Sequence, residues 1–527
     1  MKKRTPKPLV AKKLIQPIPE KVEPIQTEKI ENVYPLNQMI EKIKTDIGHS
    51  PDVIIRELKI GSKRVFDAAA VFIDGLANKD VIQKVLQNLL VDVRETELCE
   101  QAEITDLIKN FSLATGELQV LSDTPIDFNQ LYDAVMSGDT ILLFDGSPVA
   151  FKIGSKGWES RGIEEPSSEQ NVRGPKDGFT ENIRTNTALI RRRIIDKNLV
   201  FEPIKIGKRS KTEMTITYIK DLANEKIVNE VRERLSKIEI DAILESGYVE
   251  SMIQDETYSP FPTVYNTERP DAVVGGLYEG RIAILVDGTP FVLVVPALFI
   301  HFMQSSEDYY QRADISTLIR LLRVGTFLLS LLTPAAYIAV TTFHQEMLPT
   351  TLLISLTAQR EGVPFPAFIE ALFMEVTFEI LREAGIRMPR AVGAAISIVG
   401  ALVLGQAAVE AGLVSATMVI VVSLTAISSF VTPKFNLAIS VRMVRFIFMG
   451  LAASFGLFGI IIGLLVLIAH LCSLRSFGVP YLLPFAPFVL KDQKDGIIRL
   501  SLWSMTTRPK LIGGQDNVRE KTAKPSP

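Results

Sequence analysis

The stretch IFMGLAASFGLFGIIIGLLVLIAHL, from Ile447 to Leu471, contains no aspartate, glutamate, lysine or arginine. An apolar run of this length is long enough to cross the hydrocarbon core of a bilayer as an α-helix. Three more apolar runs lie in the same half of the chain: Val324–Thr342, Val392–Glu410 and Leu413–Val431. Residues 299–490 are therefore predicted to form an all-α, polytopic transmembrane domain.

A polar stretch, residues 348–388, follows the first of these runs and does not fit a simple span. It contains Arg360-Glu-Gly-Val-Pro-Phe-Pro366 and then an amphipathic segment with Glu370, Glu375 and Glu379. Non-helical backbone at membrane depth is tolerated only inside protein or beside water, and ionisable residues there mark functional routes. The stretch is either a re-entrant element that lines a cavity or an interfacial helix outside the hydrocarbon core.

The distribution of positive charge predicts which loops face the cytosol. Arg387 and Arg390 precede the two middle runs and Lys434 follows them, which places both ends of this pair in the cytosol. A single last span would then leave the basic C-terminal tail, residues 491–527, on the opposite side, where it is not expected. This conflict stays open at the level of sequence, with the proline-rich Val479–Val489 as a candidate half-span.

The N-terminal half contains an internal repeat. Glu57-Leu-Lys-Ile-Gly61 matches Pro203-Ile-Lys-Ile-Gly207 at an offset of 146, and Ile141-Leu-Leu-Phe-Asp-Gly-Ser-Pro148 matches Ala283-Ile-Leu-Val-Asp-Gly-Thr-Pro290 at an offset of 142. The change of offset implies a four-residue deletion in the second copy. Each copy is predicted to form strand, strand, helix and a hairpin closed at its Asp-Gly turn.

The predicted fold class is therefore an α+β soluble N-terminal region followed by the transmembrane domain. The two related α/β subdomains are expected at residues 46–153 and 198–298. Residues 1–45 are predicted to be a disordered, basic and proline-rich tail. Because this tail has no apolar leader, the N-terminal region is expected to stay in the cytosol.

Composition restricts the class of function. The formal net charge is −2, which gives no support for nucleic acid as a partner. The chain has two cysteines, one in each half, which form no disulfide framework or metal-ligand pattern. It also has no phosphate-binding glycine loop and no defensible nucleophile–base spacing. We therefore expect no enzyme activity, no metal and no cofactor.

The segment between the two copies, residues 154–197, carries acidic residues first and basic residues after them. This asymmetry suits head-to-tail docking between neighbouring chains. The candidate interface residues are Arg173, Glu181, Arg184, Arg191 and Arg192. A solvated charged connector explains the same pattern, so both interpretations remain.

Motifs from this segment onward carry a family resemblance. They are the run Glu164–Ile194, Ser259-Pro-Phe-Pro-Thr263, Asn266-Thr-Glu-Arg-Pro-Asp271, Gln304-Ser-Ser-Glu-Asp-Tyr-Tyr310, Arg360-Glu-Gly-Val-Pro-Phe-Pro366 and Ser476-Phe-Gly-Val-Pro-Tyr481. Together they resemble the A subunits of nutrient germinant receptors in the GerA family of spore germination proteins. The resemblance implies a receptor subunit in the inner membrane of the spore, in contact with lipid. Its implied partners are a permease-like B subunit and a lipoprotein C subunit.

The resemblance also implies a homo-oligomer that surrounds a pore and releases monovalent cations when a nutrient is present. Under this hypothesis, Val363 and Phe365 would form an apolar constriction that stays dry when closed. The candidate acidic rings that favour cations are Glu361, Glu370 and Glu375. The alternatives are a non-conducting scaffold and a secondary transporter, although no inverted repeat is visible among the spans.

Overall fold

The structure is a computed structural model. It describes residues 35–47, 50–60, 66–95, 118–121, 126–147, 149–157, 165–166, 169 and 171–387, and then residues 403–522 apart from 510, 515 and 517. The predicted tail up to residue 34 and most of the predicted span Val392–Glu410 lie outside these residues.

The first subdomain is an antiparallel five-stranded sheet with helices on both faces, in the order β1-β2-β4-β5-β3. The strands are β1 Val53–Ile60, β2 Phe66–Ile73, β3 Leu118–Val120, β4 Thr140–Phe144 and β5 Phe151–Ile153, and the helices are α1 Leu36–Ile47, α2 Lys79–Glu95 and α3 Phe128–Met136. Alternate residues along β2 belong to two different hydrophobic cores, one beneath α2 and one beneath α1 and α3.

The second subdomain repeats this sheet in the order β6-β7-β9-β10-β8. Its strands are β6 Leu199–Ile206, β7 Thr212–Ile219, β8 Tyr265–Thr267, β9 Ile282–Val286 and β10 Val292–Val295, and its helices are α4 Ile183–Arg191, α5 Glu225–Ser236, α6 Ser246–Ile253 and α7 Pro270–Tyr278. The two strand orders are the same, so the predicted duplication is confirmed. Each copy also has a strand and a helix before the hairpin that the prediction lacked.

Strand register locates the four-residue deletion. The first residues of β1 and β6 are 146 positions apart, which is the larger offset found in the sequence. The first residues of α3 and α7 are 142 positions apart, which is the smaller offset. Val120 and Asn266 occupy equivalent positions on β3 and β8, since their partners Phe151 and Leu293 are equivalent on β5 and β10. Seven residues separate Val120 from the start of α3, but three separate Asn266 from the start of α7. The deletion therefore shortens the connection that enters this helix.

A helix precedes the sheet in each subdomain, and the two helices are equivalent. Leu36 N–H of α1 donates to Asp145 Oδ1 at 2.8 Å, and Ile183 N–H of α4 donates to Asp287 Oδ1 at 3.1 Å. Each aspartate belongs to an Asp-Gly hairpin turn, and its carboxylate stabilises the positive end of the helix dipole. The predicted disordered tail 1–45 is therefore wrong for residues 36–45. Helix α4 lies in the predicted linker 154–197 but packs with the second subdomain.

The C-terminal region is helical. Its helices are α8 Phe299–Met303, α9 Glu307–Tyr310, α10 Ala313–Thr342, α11 Thr350–Arg360, α12 Ala367–Arg387, α13 Ala416–Phe430 and α14 Phe435–Ser473, with a further helical segment at 403–410. Among the described residues, α10 and α14 are long and apolar enough to cross a membrane, and α13 is a shorter apolar helix. The predicted spans Val324–Thr342 and Leu413–Val431 are thus largely helical.

Helix α14 is a helical hairpin rather than one straight span. Its backbone breaks at Gly456, where φ is 61° and ψ is −141°. A Cβ on Gly463 would lie 2.9 Å from the Phe448 ring, so residues on opposite sides of the break are in contact. The two legs, residues 435–455 and 457–473, are about 32 Å and about 26 Å long. The prediction of a single span over Ile447–Leu471 is therefore wrong, because glycine permits a reversal within the apolar run.

Both ends of α14 lie against the second subdomain. Near the start of the first leg, the hydroxyl of Ser440 donates to the carbonyl of Pro260. Near the end of the second leg, His470 Nε2 lies 2.9 Å from Ser259 Oγ. The tip of the hairpin lies instead beside Phe343, just after the far end of α10. The first leg therefore leads away from the soluble region and the second leads back.

This reversal removes the charge conflict found in the sequence. After α14 the chain forms a short hairpin, β11 Arg475–Ser476 and β12 Val479–Pro480, and then follows the second subdomain. The carbonyl of Tyr481 accepts from Phe299 N–H at 2.9 Å, and Arg508 Nε donates to the Tyr278 carbonyl at 2.9 Å. The basic C-terminal tail thus lies on the same side of the helical region as the two subdomains.

We predict that Gly456→Ala destabilises the helical region. The backbone at Gly456 costs a residue with a side chain about 1–3 kcal/mol, and the new Cβ would lie 2.7 Å from His344 Cε1. The matched control is Gly450→Ala in the first leg, where a Cβ meets no atom within 4 Å. The apparent unfolding temperature of the purified protein in detergent should fall for the first variant and hold or rise for the second. Equal behaviour of both would contradict the hairpin.

Candidate functional site in the helical region

Helix α11 mixes apolar and polar residues, and none of them is buried. Its side chains Leu352 and Ile354 are 46% and 65% exposed. Its contacts within the chain include half-buried Leu353 and Leu356 and a hydrogen bond of 2.6 Å from Thr417 Oγ1 to Gln359 Oε1. The exposed apolar side chains of α11 form a surface that lipid or another protein can cover.

The turn after α11, Glu361–Pro366, is the candidate pore element. Glu361 and Phe365 are exposed, and Val363 is half-buried. The turn is short and has two prolines, which restrict its backbone. Val363 N–H donates to the Arg360 carbonyl at 3.0 Å, which closes the turn on the end of α11.

Glu370 holds the base of this turn. Its Oε1 accepts from both the backbone N–H and the hydroxyl of Ser415, each at 2.5 Å, at the start of α13. Its Oε2 lies 3.9 Å from Arg360 Nε at the end of α11. One fully buried carboxylate therefore connects α11, α12 and α13, and the N-terminus of α13 favours its negative charge.

Two further ion pairs join α12 to the first leg of α14. Glu375 Oε2 accepts from Arg445 Nη1 at 2.6 Å, and both side chains are almost completely buried. One turn along, Glu379 Oε2 accepts from Arg442 Nη1 at 3.1 Å. Because Glu375 meets Arg445 and Glu379 meets Arg442, the two helices run antiparallel. One face of α12, in the stretch 348–388, thus packs against α13 and α14 through Glu370 and Glu375, while its other side chains, such as Phe373 and Ile380, are exposed.

The soluble and helical regions meet at Lys434, the residue before α14. Its Nζ lies 2.7 Å from Glu169 Oε1 and 4.2 Å from the centre of the Tyr265 ring. Burial lowers the pKa of Lys434, but Glu169 and the Tyr265 phenol more than offset this and hold the pKa above its ordinary value. Lys434 therefore stays charged and fixes the start of the hairpin to the soluble region.

A second junction holds the base of α10. Arg320 Nε lies 3.0 Å from Asp308 Oδ2 and its Nη1 lies 2.9 Å from Asp495 Oδ1, while Arg323 Nη1 lies 2.7 Å from Asp308 Oδ2. Burial raises the pKa of the Asp495 carboxyl, and Arg320 opposes this only in part. The network joins α9, α10 and the C-terminal segment. Within the described ranges, no three histidine, cysteine, aspartate or glutamate side chains cluster as a metal site requires.

Comparison with known proteins gives the family. The sequence profile described as "Bacillus/Clostridium GerA spore germination protein" matches residues 41–511. The chain belongs to the GerA family. Spore germination protein KA of Bacillus subtilis (strain 168) is 49% identical to this GerA-family chain over 493 residues, which is 93% of this chain and 89% of the relative. Spore germination protein GerLA of Bacillus cereus is 40% identical, over 93% of this chain and 98% of the relative.

A solved structure also matches this GerA-family chain. It is the crystal structure of the N-terminal domain of the A subunit of the Bacillus megaterium spore germinant receptor GerK3, which is 42% identical. The match covers 50% of this chain and 96% of that chain, with a TM-score of 0.40. The family and its A-type relatives indicate a role in spore germination for this GerA-family protein.

The predicted pore residues of this GerA-family chain divide into two groups. Glu361, Val363 and Phe365 come together on the turn between α11 and α12. Glu370 and Glu375 do not line a surface, because each is 0% exposed and bonds to partners inside the chain. Their assignment to acidic rings is therefore corrected: they neutralise arginines and hold helices together.

The predicted interface residues divide in a similar way. Arg173, Glu181, Arg184 and Arg192 are exposed on the segment that contains α4, with Arg192 directly after the helix. Arg191 is 1% exposed, and its Nε and Nη2 lie 2.8 and 3.2 Å from the carboxylate of Asp52, while its guanidinium packs over the Phe201 ring. Arg191 therefore joins the two subdomains within one GerA-family chain. Its prediction as a contact between neighbouring chains is wrong.

The sequence alone does not indicate the partners of these carboxylates. The distribution of positive charge uses Lys434 only as a sign of the cytosolic side, and it gives no partner to Arg442, Arg445 or Glu169. One signal was available: Glu375 and Glu379 are four residues apart, and Arg442 and Arg445 are three apart, so each pair lies on one helical face. That spacing indicates that each pair of charges faces a partner of opposite charge. It does not indicate which of the several charged helices supplies that partner.

We predict that Arg445→Met strongly destabilises the helical region, because it leaves Glu375 buried without its partner. Breaking a buried pair in this way costs about 3–5 kcal/mol. Adding Glu375→Leu should restore most of the loss, since an apolar pair of similar volume replaces the ion pair. The unfolding temperature in detergent measures both effects.

The matched control is Arg387→Met at the end of α12. Arg387 pairs with Glu383, and these side chains are 78% and 60% exposed. Such a pair contributes about 1 kcal/mol or less, so the unfolding temperature should barely change. A loss as large as that of Arg445→Met would show that burial of the pair is not what matters.

Proposed function

We propose that this chain is the membrane subunit of a nutrient-responsive germinant receptor and forms an oligomeric, nutrient-gated cation channel. The proposed site is the inner membrane of the spore, with the two subdomains and the C-terminal tail in the cytosol. The proposed partners are a permease-like B subunit, a lipoprotein C subunit, lipid and further copies of this chain. The exposed residues of the α4 segment, Arg173, Glu181, Arg184 and Arg192, are the proposed contacts between copies.

The observation that carries the proposal is the exposed surface of α11 and the turn after it. Helix α11 has no buried residue, and the next five residues include half-buried Val363 and exposed Phe365. Repeated around a ring, these side chains would lie next to those of neighbouring copies and cover each other. A ring of Val363 and Phe365 then forms an apolar constriction that closes by excluding water.

The charge on this turn supports a preference for cations. Arg360 points inward towards Glu370, with its side chain 24% exposed. Glu361 is exposed and forms no ion pair with any residue that the structure describes. The charge left at the surface of the turn is therefore negative, and a ring of such carboxylates attracts cations.

The buried ion pairs support a connection between this turn and the soluble region. Arg360, directly before the turn, lies 3.9 Å from Glu370 of α12, and α12 is joined through Glu375 to the first leg of α14. The same leg begins at Lys434, which is fixed to Glu169. A movement of the soluble region or of a partner bound to it would therefore reach the turn through rigid helices.

We predict that Val363→Ala opens the channel without nutrient, because a smaller side chain widens and wets the constriction. Spores that carry the variant should lose potassium and sodium during storage, measured by atomic emission of the medium. The matched control is Val466→Ala, a valine that is 64% exposed on the second leg of α14. Its spores should retain their cations. Full retention in Val363→Ala would contradict the placement of the pore.

Reconstitution separates the channel from its alternatives. We predict that the purified chain with its receptor partners in liposomes releases monovalent cations on addition of nutrient, and that Glu361→Gln lowers the ratio of cation to anion permeability. Potassium-selective electrodes and reversal potentials measure these quantities. Uptake of nutrient coupled to an ion gradient would instead indicate a transporter. No flux under any condition would indicate a scaffold.

A further inference from the structure

The two subdomains differ at one edge, and the difference involves the C-terminal tail. In the first subdomain, the residues that follow β5 pair antiparallel with the residues that follow β2. Asn78 N–H donates to the Ser155 carbonyl at 2.7 Å, and Gly157 N–H donates to the Leu76 carbonyl at 3.0 Å. An isolated antiparallel bridge joins Ala77 to Lys156. Residues 154–157 thus complete the first subdomain.

In the second subdomain the chain cannot do this, because after β10 it turns into α8 and the helical region. At the larger offset of the repeat, the positions equivalent to Leu76 and Ala77 are Leu222 and Ala223. Gly514 N–H donates to the Leu222 carbonyl at 2.6 Å, and an antiparallel bridge joins Ala223 to Gly513. These two contacts reproduce those of Gly157 and Lys156, although the segment that makes them comes from the C-terminal tail.

The same C-terminal segment supplies a core residue. Ile512 is 0% exposed and belongs to the hydrophobic core of the second subdomain, together with Leu222, Leu277 and Ile282. Removing an apolar side chain of this size from water favours the docked position of the segment. At the corresponding edge of the first subdomain, Ser155 is buried and shares a hydrogen bond with Thr140. The C-terminal segment therefore places an apolar side chain, Ile512, where the first subdomain has the polar side chain of Ser155.

We propose that Leu511–Gly514, here called the strap, is a docking segment that completes the second subdomain in place of residues 154–157. The groove that receives it, here called the slot, is formed by Leu222, Ala223 and Gly280. The slot is a binding site for an extended segment of this chain, filled by the strap of the same molecule. This assignment goes beyond the proposed channel and does not depend on it.

The slot requires glycine at position 514 of the strap and tolerates a side chain at position 513. A Cβ on Gly514 would lie 2.7 Å from the Ala223 carbonyl oxygen and 3.1 Å from that of Leu222. A Cβ on Gly513 would have its nearest contact at 3.4 Å, an ordinary van der Waals distance. Gly280 must also stay small, since its Cβ would lie 2.5 Å from the Leu222 carbonyl oxygen.

The strap ties the helical region to the second subdomain. Between α14 and the strap, the chain passes Asp495, which binds Arg320 at the base of α10, and Arg508, which binds the carbonyl of Tyr278. The docked strap therefore keeps this segment in place across the base of α10. Within the described residues, the backbone contacts between strap and slot are those of Gly513 and Gly514 with Ala223 and Leu222, so the strap can leave the slot while both sheets stay folded.

Disulfide trapping tests the docking directly in the full-length protein. In a background with Cys99→Ser and Cys472→Ser, the variants Ala223→Cys and Gly513→Cys are combined. Partners in an antiparallel bridge lie within the range that a disulfide spans, so oxidation should give an internal cross-link, seen as faster migration of the monomer. A cross-link between two chains would overturn filling by the same molecule, and no cross-link would overturn docking.

Adding Gly514→Ala to the same background supplies the matched test of the slot. A docking loss of about 1.4 kcal/mol lowers the equilibrium constant for docking about tenfold. The undocked fraction should therefore rise about tenfold, and with it the rate at which iodoacetamide alkylates the reduced thiol of Gly513→Cys before oxidation. An unchanged alkylation rate would overturn the glycine requirement and with it the assignment of the slot. Because this readout is chemical, it stands whether or not the chain conducts ions.

The role of the strap in signalling is tested in spores with the single variants Gly514→Ala and Gly513→Ala. Given the proposed receptor function, the first should slow nutrient-triggered germination at an unchanged amount of protein, and the second should not. Equal germination of both would overturn the coupling role. If the internal cross-link forms but Val363→Ala spores retain their cations, the channel fails and the docking of the strap stands.

Discussion

Pairing of buried charge is the constraint on which the arrangement of this protein depends. Carboxylates and guanidinium groups that are removed from water without a partner would cost several kcal/mol each. Glu375 must meet Arg445, Asp308 must meet Arg320, and Glu169 must meet Lys434. These three pairs join α12 to α14, α10 to the residues before it, and the soluble region to the start of the hairpin. Each pair therefore excludes alternative arrangements of otherwise similar apolar helices.

The two copies in the soluble region differ in how they connect to the rest of the chain. Both copies keep the same sheet and the same helix capped by an Asp-Gly turn. They differ after the last strand, where the first copy closes on itself and the second leads into α8. The C-terminal segment then occupies the edge that this exit leaves open, with Ile512 buried in the core. Buried residues of the second subdomain, the helical region and the C-terminal segment thus belong to one hydrophobic core.

The helical region has a rigid side and an uncovered side. Helices α10, α12, α13 and α14 share buried side chains, whereas α11 and the turn after it expose apolar residues. Glu370 lies between these parts, because it bonds to the start of α13 and lies near the end of α11. An element that has no fully buried side chain and is fixed at one end can change position at little cost to the rest of the fold. This is the physical basis for placing a gate there.

The sequence by itself determined the features that depend on local composition and period. Apolar length predicted the spans at α10 and α13, and two offsets predicted the duplicated subdomains together with their four-residue deletion. The tertiary structure alone decided the features that depend on partners far away in the chain. Arg191 looked like a surface cation until Asp52 was seen to cover it, and Glu375 looked pore-lining until Arg445 was placed against it. The break at Gly456 and the docking of Gly514 likewise depend on contacts with distant segments. The identity of a glycine or the length of an apolar run does not specify which distant residues it will contact.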